Sequence, residues 1–321
     1  MADGFLFFDR NVNIAMKSRE TMGKKKAHLS IVTPTYNRAG LLQKCYESLR
    51  AQTCWDFEWI IVNDGSTDDT EKVMHSFSND HFPIYCISKP NGGKHTALNA
   101  SHAHIHGDYV LILDSDDYLV PTAVEQVLDG WNRYADDNDI GMVIFLKGSA
   151  EDQPNCKAAD EDEYTPIDDS DYKRICIKSS DCCEVVRSSL FNKYPFPVFD
   201  GERFIGEGTL WDRVNDDAKS VYINKVIYIC EYLEGGLTKS GRRMYIRNPR
   251  GGMYNSNLGM RRKHCLKRRI KCGLLYTSYG YFAGIPMPQM AGTCSAPVLM
   301  FLCLPFGWAL YLFWKKKYMK D

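Results

Sequence analysis

Apolar positions in the first part of the chain follow two periods in alternation. Four short, mostly apolar runs have the length of strands covered on both faces, as in a parallel sheet: His28-Leu-Ser-Ile-Val-Thr33, Phe57-Glu-Trp-Ile-Ile-Val62, Ile84-Tyr-Cys-Ile87 and Tyr109-Val-Leu-Ile-Leu113. Between them the apolar residues recur at helical spacing: Leu41, Leu42, Cys45 and Leu49, then Val73, Met74 and Phe77, then Ala97, Leu98 and His102. Pro34 stops the first run, and Ser66 with Asp69 three positions later has the form of a capping box. Gly107-Asp108 parts the third helix from the fourth strand. Strands alternating with helices over short connections predict an α/β fold with a Rossmann-like, mostly parallel sheet flanked by helices.

The pattern continues less regularly. A helix stripe runs through Val124, Val127, Leu128 and Trp131, and Met142-Val-Ile-Phe-Leu146 reads as another buried strand. From Glu151 to Asp171 periodicity is lost, with nine acidic residues against one lysine. That composition predicts a loop over or beside the site. Order resumes at Cys183-Glu-Val-Val-Arg187, then a helix through Leu210, Trp211 and Val214, then strand material at Val221-Tyr-Ile223 and Val226-Ile-Tyr-Ile-Cys230.

Charge changes the picture of the C-terminal part. The chain has 40 basic and 40 acidic residues, so the whole molecule carries no nucleic-acid signature. The balance hides segregation. From Lys239 to Lys271 there are twelve Lys and Arg and no acid, and from Cys272 to Trp314 no charged side chain. A basic segment running straight into an apolar one points to anionic lipid headgroups. The twenty residues from Ser295 to Trp314, followed by Lys315-Lys-Lys317, have the length to span a bilayer. Pro297, Pro305 and Gly307 argue against one clean helix, so a re-entrant or interfacial anchor is expected, with a hydrophobic subdomain packed on the body or on a dimer partner as the alternative. Twelve cysteines without a CxxC pair read as a reduced, cytosolic set. Residues 1–26 read as a loosely held extension, with Met22 as an alternative start.

Candidate chemistry gathers where the predicted strands end. In open α/β sheets ligands bind beyond the carboxyl ends of the strands. There stand Thr35 and Tyr36, then Asp64, then Asn91 and Lys94, then Asp114, Asp116 and Asp117. Carboxylates this crowded repel one another unless a cation sits among them, and Mg²⁺ or Mn²⁺ prefers such oxygen ligands. Asp117 reads equally as part of the turn into the helix that begins near Pro121. His102, His104 and His106 read as a solvated helix end, since no Glu or Cys partner accompanies them.

These residues resemble, in order and spacing, the family 2 glycosyltransferases of GT-A fold. The motifs are Thr33-Pro-Thr-Tyr-Asn-Arg38, Val62-Asn-Asp-Gly-Ser-Thr-Asp68, Asn91-Gly-Gly-Lys94 with Leu98-Asn-Ala100, and Gly107-Asp-Tyr-Val-Leu-Ile-Leu-Asp-Ser-Asp-Asp117. The resemblance implies a GT-A domain over 27–238, with a nucleotide-sugar half (27–120) and an acceptor half (121–238). A basic linker and a hydrophobic membrane-associated region would follow over 239–321. It further implies that Pro34, Thr35, Tyr36 and Asp64 hold the nucleotide, with Asp68 a further contact or only a cap. Lys94, in the Asn91 turn at a helix start, would approach a phosphate. Asp116, with Asp114 as second ligand or ribose contact, would hold Mn²⁺ or Mg²⁺. Phe204-Ile-Gly-Glu207-Gly-Thr-Leu-Trp211 resembles the family's base segment, which makes Glu207 the general base. Many relatives carry Glu-Asp where this chain has Glu-Gly, so Glu202 and Asp212 stand as substitutes. Lys239, Arg242 and Arg243 either clamp a phosphate or are surface charge. The expected activity is inverting, metal-dependent transfer of a sugar from a nucleotide-diphosphate sugar, UDP favoured. The acceptor would be a hydroxyl of a glycan or lipid-linked molecule in cell-surface polysaccharide synthesis. The expected place is the cytoplasmic face of the bacterial inner membrane, with homo-oligomers as an open expectation. A sugar nucleotidyltransferase and a non-catalytic nucleotide-sugar-binding membrane protein remain the alternatives.

Overall fold

The structure, a computed structural model, describes residues 28–155, 163–164, 182–230 and 237–319. The N-terminal extension and most of the acidic stretch lie outside them. Four strands form one half of a sheet: β1 (Leu29–Thr35), β2 (Phe57–Asn63), β3 (Ile84–Ser88) and β4 (Tyr109–Ile112). They are parallel in the order β3-β2-β1-β4. Every residue of β1, β2 and β4 is buried, as unbroken apolar runs require of a sheet covered on both faces. The helices between them are α1 (Ala39–Arg50), α2 (Thr70–Ser76) and α3 (Lys94–Ser101). α1 buries Leu42, Cys45, Tyr46 and Leu49 at helical spacing.

The other half of the sheet comes from β5 (Tyr118–Leu119), β6 (Ile140–Ala150), β7 (Gln153–Pro154), β8 (Glu163–Tyr164), β9 (Cys182–Arg187) and β10 (Lys219–Ile229). β9 lies antiparallel between β4 and β6, and β10 runs parallel to β6. The long strands therefore share one direction apart from β9. The helices here are α4 (Ala123–Asn132), α5 (Ser188–Lys193) and α6 (Gly208–Asp217). Three expectations change in detail. Pro34 does not stop β1, which runs on through it to Thr35 with Pro34 opposite Val62. The capping box does not form: Asp69 makes no capping bond, and the Asp68 carboxylate accepts from the Thr70 amide (3.0 Å) and the Ala39 amide (3.3 Å). Ser66 Oγ accepts from the Asn37 amide at 2.9 Å. The turn after β2 folds onto the turn after β1, so its polar groups join the two turns. His106 is not a free surface side chain either, since its ring bonds Glu58 at 2.9 Å, and His102 packs on the Phe191 ring.

Residues read as a basic linker and tail are helical: α7 (Leu237–Arg247, kinked at Gly241), α8 (Pro249–Gly259), α9 (Leu266–Phe282), α10 (Met287–Thr293) and α11 (Pro297–Tyr318). They enclose a second cluster of buried side chains that includes Met253, Met260, Tyr276, Tyr279, Met300 and Trp314. The segment expected to be a re-entrant or interfacial anchor, and not one clean helix, is one helix. Pro297 stands in its first turn, where the missing N–H has no helical partner to lose. Pro305 sits inside the helix. At Gly307 a Cβ would lie 1.9 Å from Thr277 Oγ1, so glycine is what lets α11 lie close on α9.

Candidate active site

Register places the ends of the four parallel strands side by side. Thr35 is opposite Asn63, Asn63 opposite Ser88, and Val32 opposite Ile112. The residues that follow each strand therefore meet at one edge. Asp64 is buried at the end of β2, and its carboxylate is fully engaged. It accepts from Lys89 Nζ at 2.6 Å, the Gly92 amide at 2.9 Å and the Gly93 amide at 2.7 Å. Asn91 Nδ2 donates to the Asp64 carbonyl at 2.9 Å. These bonds fold residues 89–93 into the turn that opens α3. Gly93 has φ +95°, and a Cβ there would lie 2.0 Å from the Arg203 carbonyl oxygen. Only glycine allows that approach between the turn before α3 and the segment before α6.

Lys94, the first residue of α3, reaches both Asp114 Oδ1 and Glu207 Oε1. Glu207 stands at the N-cap position of α6 without a side-chain capping bond, brought in from the other half of the sheet. One ammonium thus joins a carboxylate after β4 to a carboxylate far along the chain. Burial works against the Lys94 charge, but Asp114 and Glu207 outweigh it and hold the ammonium above its ordinary pKa. Burial likewise works against the Asp114 charge, and Lys94, Lys147 and Arg38 hold that carboxyl below the usual range. Asp116 faces Arg38 at 3.6 Å. Asp117 turns inward: it accepts from Tyr228 Oη at 2.7 Å, and burial together with Asp114 pushes its carboxyl up to about 7. Tyr228 Oη also accepts from the Asp114 amide at 3.0 Å. The three carboxylates thus divide into Asp114 and Asp116 toward cations and Asp117 toward the core.

The ring of Tyr36 is exposed beside this edge. Thr35 Oγ1 and His95 Nδ1 are buried and have no hydrogen-bond partner among the described residues. Glu202 and Asp212, the substitutes for Glu207, are committed elsewhere. Glu202 accepts from the Arg250 and Gly251 amides at 2.7 and 2.9 Å and so caps α8. Asp212 takes two bonds from Arg268, at 2.8 and 2.7 Å. Arg242 is not brought to the strand ends; it donates to Tyr279 Oη and lies over the Trp314 ring. Lys239 falls in α7, with its side chain outside the described residues. Four residues at the edge were not singled out from sequence. Arg38 and Lys89 lie in or next to the quoted motifs. Tyr228 and Lys147 carry no local signal, because only sheet order brings β10 and β6 near Asp114.

Asp114 and Asp116 fit a hard divalent cation by the chemistry of their donors. Both are partly exposed carboxylates balanced by cationic side chains. Mg²⁺ sites are often built on one or two carboxylates, with substrate phosphates and water completing the shell. Among the described residues no group of three or more His, Cys, Asp or Glu side chains forms a metal cluster.

This sheet, with acidic residues at a strand end and a carboxylate at a facing helix start, is the GT-A class of fold. S. aureus TarS 1-349 in complex with UDP-GlcNAc is similar with a TM-score of 0.57 at 16% identity, covering 88% of each chain. The mannosyltransferase PcManGT of Pyrobaculum calidifontis, in complex with GDP-Man and Mn²⁺, is similar with a TM-score of 0.53 at 16% identity, covering 92% of this chain and 84% of that one. The chain belongs to glycosyl transferase family 2, whose model matches residues 30–193. The GalNAc(5)-diNAcBac-PP-undecaprenol beta-1,3-glucosyltransferase of Campylobacter jejuni is 28% identical over 230 residues, 68% of this chain and 71% of that one. The chondroitin synthase of Pasteurella multocida is 45% identical over 100 residues, 31% of this chain but only 10% of that much longer protein.

Proposed function

We propose that the chain transfers a sugar from a nucleotide-diphosphate sugar, UDP favoured, to a hydroxyl of a lipid-linked or glycan acceptor, with metal dependence and inversion. Synthesis of a bacterial cell-surface polysaccharide at the cytoplasmic face of the inner membrane is the setting this reading assigns. One observation carries it: Lys94 couples Asp114, at the metal-side strand end, to Glu207, at the start of a helix in the other half. Support for the donor class comes from the solved neighbours, whose complexes contain UDP-GlcNAc and GDP-Man with Mn²⁺. Support for a lipid-linked acceptor comes from the name of the Campylobacter relative.

Pro34, Thr35 and Tyr36, with Asp64 and the turn it holds, form the nucleotide side. The exposed Tyr36 ring stacks on the base, and Thr35 Oγ1 supplies a polar contact. Asn91 and Lys94 face the diphosphate, and Lys239 is kept as a further phosphate contact. Asp116 and Asp114 would hold Mn²⁺ or Mg²⁺, which when bound acts as a Lewis acid and template for the departing diphosphate. Glu207 accepts the proton from the acceptor hydroxyl as that oxygen attacks the anomeric carbon from the face opposite the nucleotide. Lys94 leaving Glu207 for the diphosphate frees the base as the donor arrives.

The test is purified full chain with a panel of UDP- and GDP-sugars and Mn²⁺, with and without membrane extract. Release of UDP or GDP and transfer to extracted lipid are expected. Release of pyrophosphate when UTP or GTP and a sugar 1-phosphate are offered in place of the sugar nucleotides, or donor binding without any turnover, would replace this reading by nucleotidyl transfer or by binding alone.

A further inference from the structure

α11 is long and apolar enough to cross a bilayer, but its packing speaks for another orientation. Met300, Cys303, Gly307 and Trp314 form a buried stripe at spacings of three, four and seven. That stripe lies on α9, and the two helices run side by side in the same direction. Cys303 meets Gly273, Gly307 meets Thr277, and the Tyr311 ring packs on Phe282 at 4.7 Å.

Charged groups of the same chain lie beside both ends of α11. Near its start lies the first turn of α9, whose Arg268 pairs with Asp212 of the catalytic body. Near its end the Trp314 ring lies 4.6 Å beneath the Arg242 guanidinium and 5.8 Å from Tyr279. A helix standing across the bilayer would carry one of these ends, with Arg242 or the α9 cations, through hydrocarbon. Isolated charges and the backbone that bears them are strongly disfavoured there.

The outer face is apolar along its whole length. Val298 is 76% exposed, Leu302 and Phe306 67% each, and Trp308 and Phe313 are exposed beyond them. Lys315, Lys316 and Lys317 stand exposed at one end. At the other, exposed Leu266 and Ile270 alternate with exposed Lys267 and Lys271. The sequence has no acidic residue from Lys239 to Lys317. An apolar strip bounded by cations and free of acids complements an anionic lipid surface.

We propose that α11 is an in-plane anchor: its outer face enters one leaflet of a bilayer containing anionic lipid, with the helix axis along the surface. Lys315, Lys316 and Lys317 at one end and Lys267 and Lys271 at the other bind headgroups. This deepens the membrane location given above and rests on that part of the reading, not on the transfer chemistry.

The experiment uses the full chain with a C-terminal epitope tag, expressed in a bacterium. The protein is expected in the membrane fraction, with its tag cleaved by protease in inverted vesicles and protected in intact spheroplasts. The double variant L302E/F306E moves to the soluble fraction, with its donor turnover in detergent unchanged. Purified protein floats with vesicles of phosphatidylcholine plus phosphatidylglycerol about tenfold better than with phosphatidylcholine alone. Cleavage of the tag in spheroplasts would mean a spanning helix and overturn the proposal. So would L302E/F306E remaining on membranes, equal flotation with both vesicles, or a soluble wild type in which crosslinking places a second copy on α11. Loss of turnover with intact membrane binding would strike the transfer reading and leave the anchor standing.

Discussion

At the scale of single residues, Lys94 has the most consequential position. It is bonded to both Asp114 and Glu207, which are assigned different tasks. Removing either partner therefore has a distinct signature. Glu207→Gln keeps a hydrogen-bonding group beside Lys94 but cannot take a proton. Transfer should fall by about 10²–10⁴, with donor affinity by calorimetry nearly unchanged. Retained transfer would remove Glu207 from the role of base, and Glu202 and Asp212 would not inherit it without leaving α8 and Arg268. Lys94→Gln should instead weaken UDP binding about tenfold or more, since a charge-assisted contact to phosphate is lost; equal affinity would exclude Lys94 from the phosphate contacts. Asp64, Asn91, Lys94, Asp114 and Asp116 were legible in sequence because short motifs end predicted strands. Their bonding was not. Nothing local announces that the Asp64 carboxylate is spent on Lys89, Gly92 and Gly93, or that Asp117 belongs to Tyr228, because those partners are fixed by turn geometry and sheet order.

At the scale of elements, the strands and helices of the first half were legible because their periodicity is local and uninterrupted. β9 shows the limit. Its apolar residues are plain, but not that it enters antiparallel between β4 and β6, a non-local choice. The C-terminal helices show a different limit. Pro305 and Gly307 have unfavourable helix propensity, and tertiary packing overrides it. Gly307 is useful because it lacks a side chain, as Thr277 occupies the space a Cβ would need. Gly307→Leu should force α11 from α9 and lower stability by about 1–3 kcal/mol, read as a reduced urea midpoint. Gly292→Ala, where a Cβ meets nothing within 4 Å, is the control and should leave the midpoint in place. Equal midpoints for the two variants would mean that α9 and α11 do not pack at this point.

At the scale of the whole molecule, buried titratable groups make stability depend on pH, and two of them pull in opposite directions. Burial lowers the His95 imidazole from 6.5 to about 4. Between those values the unfolded chain binds a proton that the folded chain refuses, so stability falls as pH falls from about 6.5 toward 4. Above 6.5 both states are neutral and His95 contributes nothing. Asp117 has the reverse sign. Its carboxyl lies at about 7 when folded against 3.8 in the ordinary case. Through that window the folded chain holds a proton the unfolded chain has lost, so its contribution grows as pH falls from 7 toward 3.8 and is lost as pH rises through 7. Each group acts with a slope of up to about 1.4 kcal/mol per pH unit. Partial cancellation makes the wild-type curve a poor guide, and differences between variants separate the two. Urea unfolding of wild type, His95→Gln and Asp117→Asn from pH 4 to 8 measures both. Relative to His95→Gln, the wild type should lose stability on acidification below about 6.5; relative to Asp117→Asn, it should gain stability as pH drops from 7. Parallel curves for His95→Gln and wild type would show that His95 protonates freely in the folded chain and is not enclosed beside Lys94 as the fold places it.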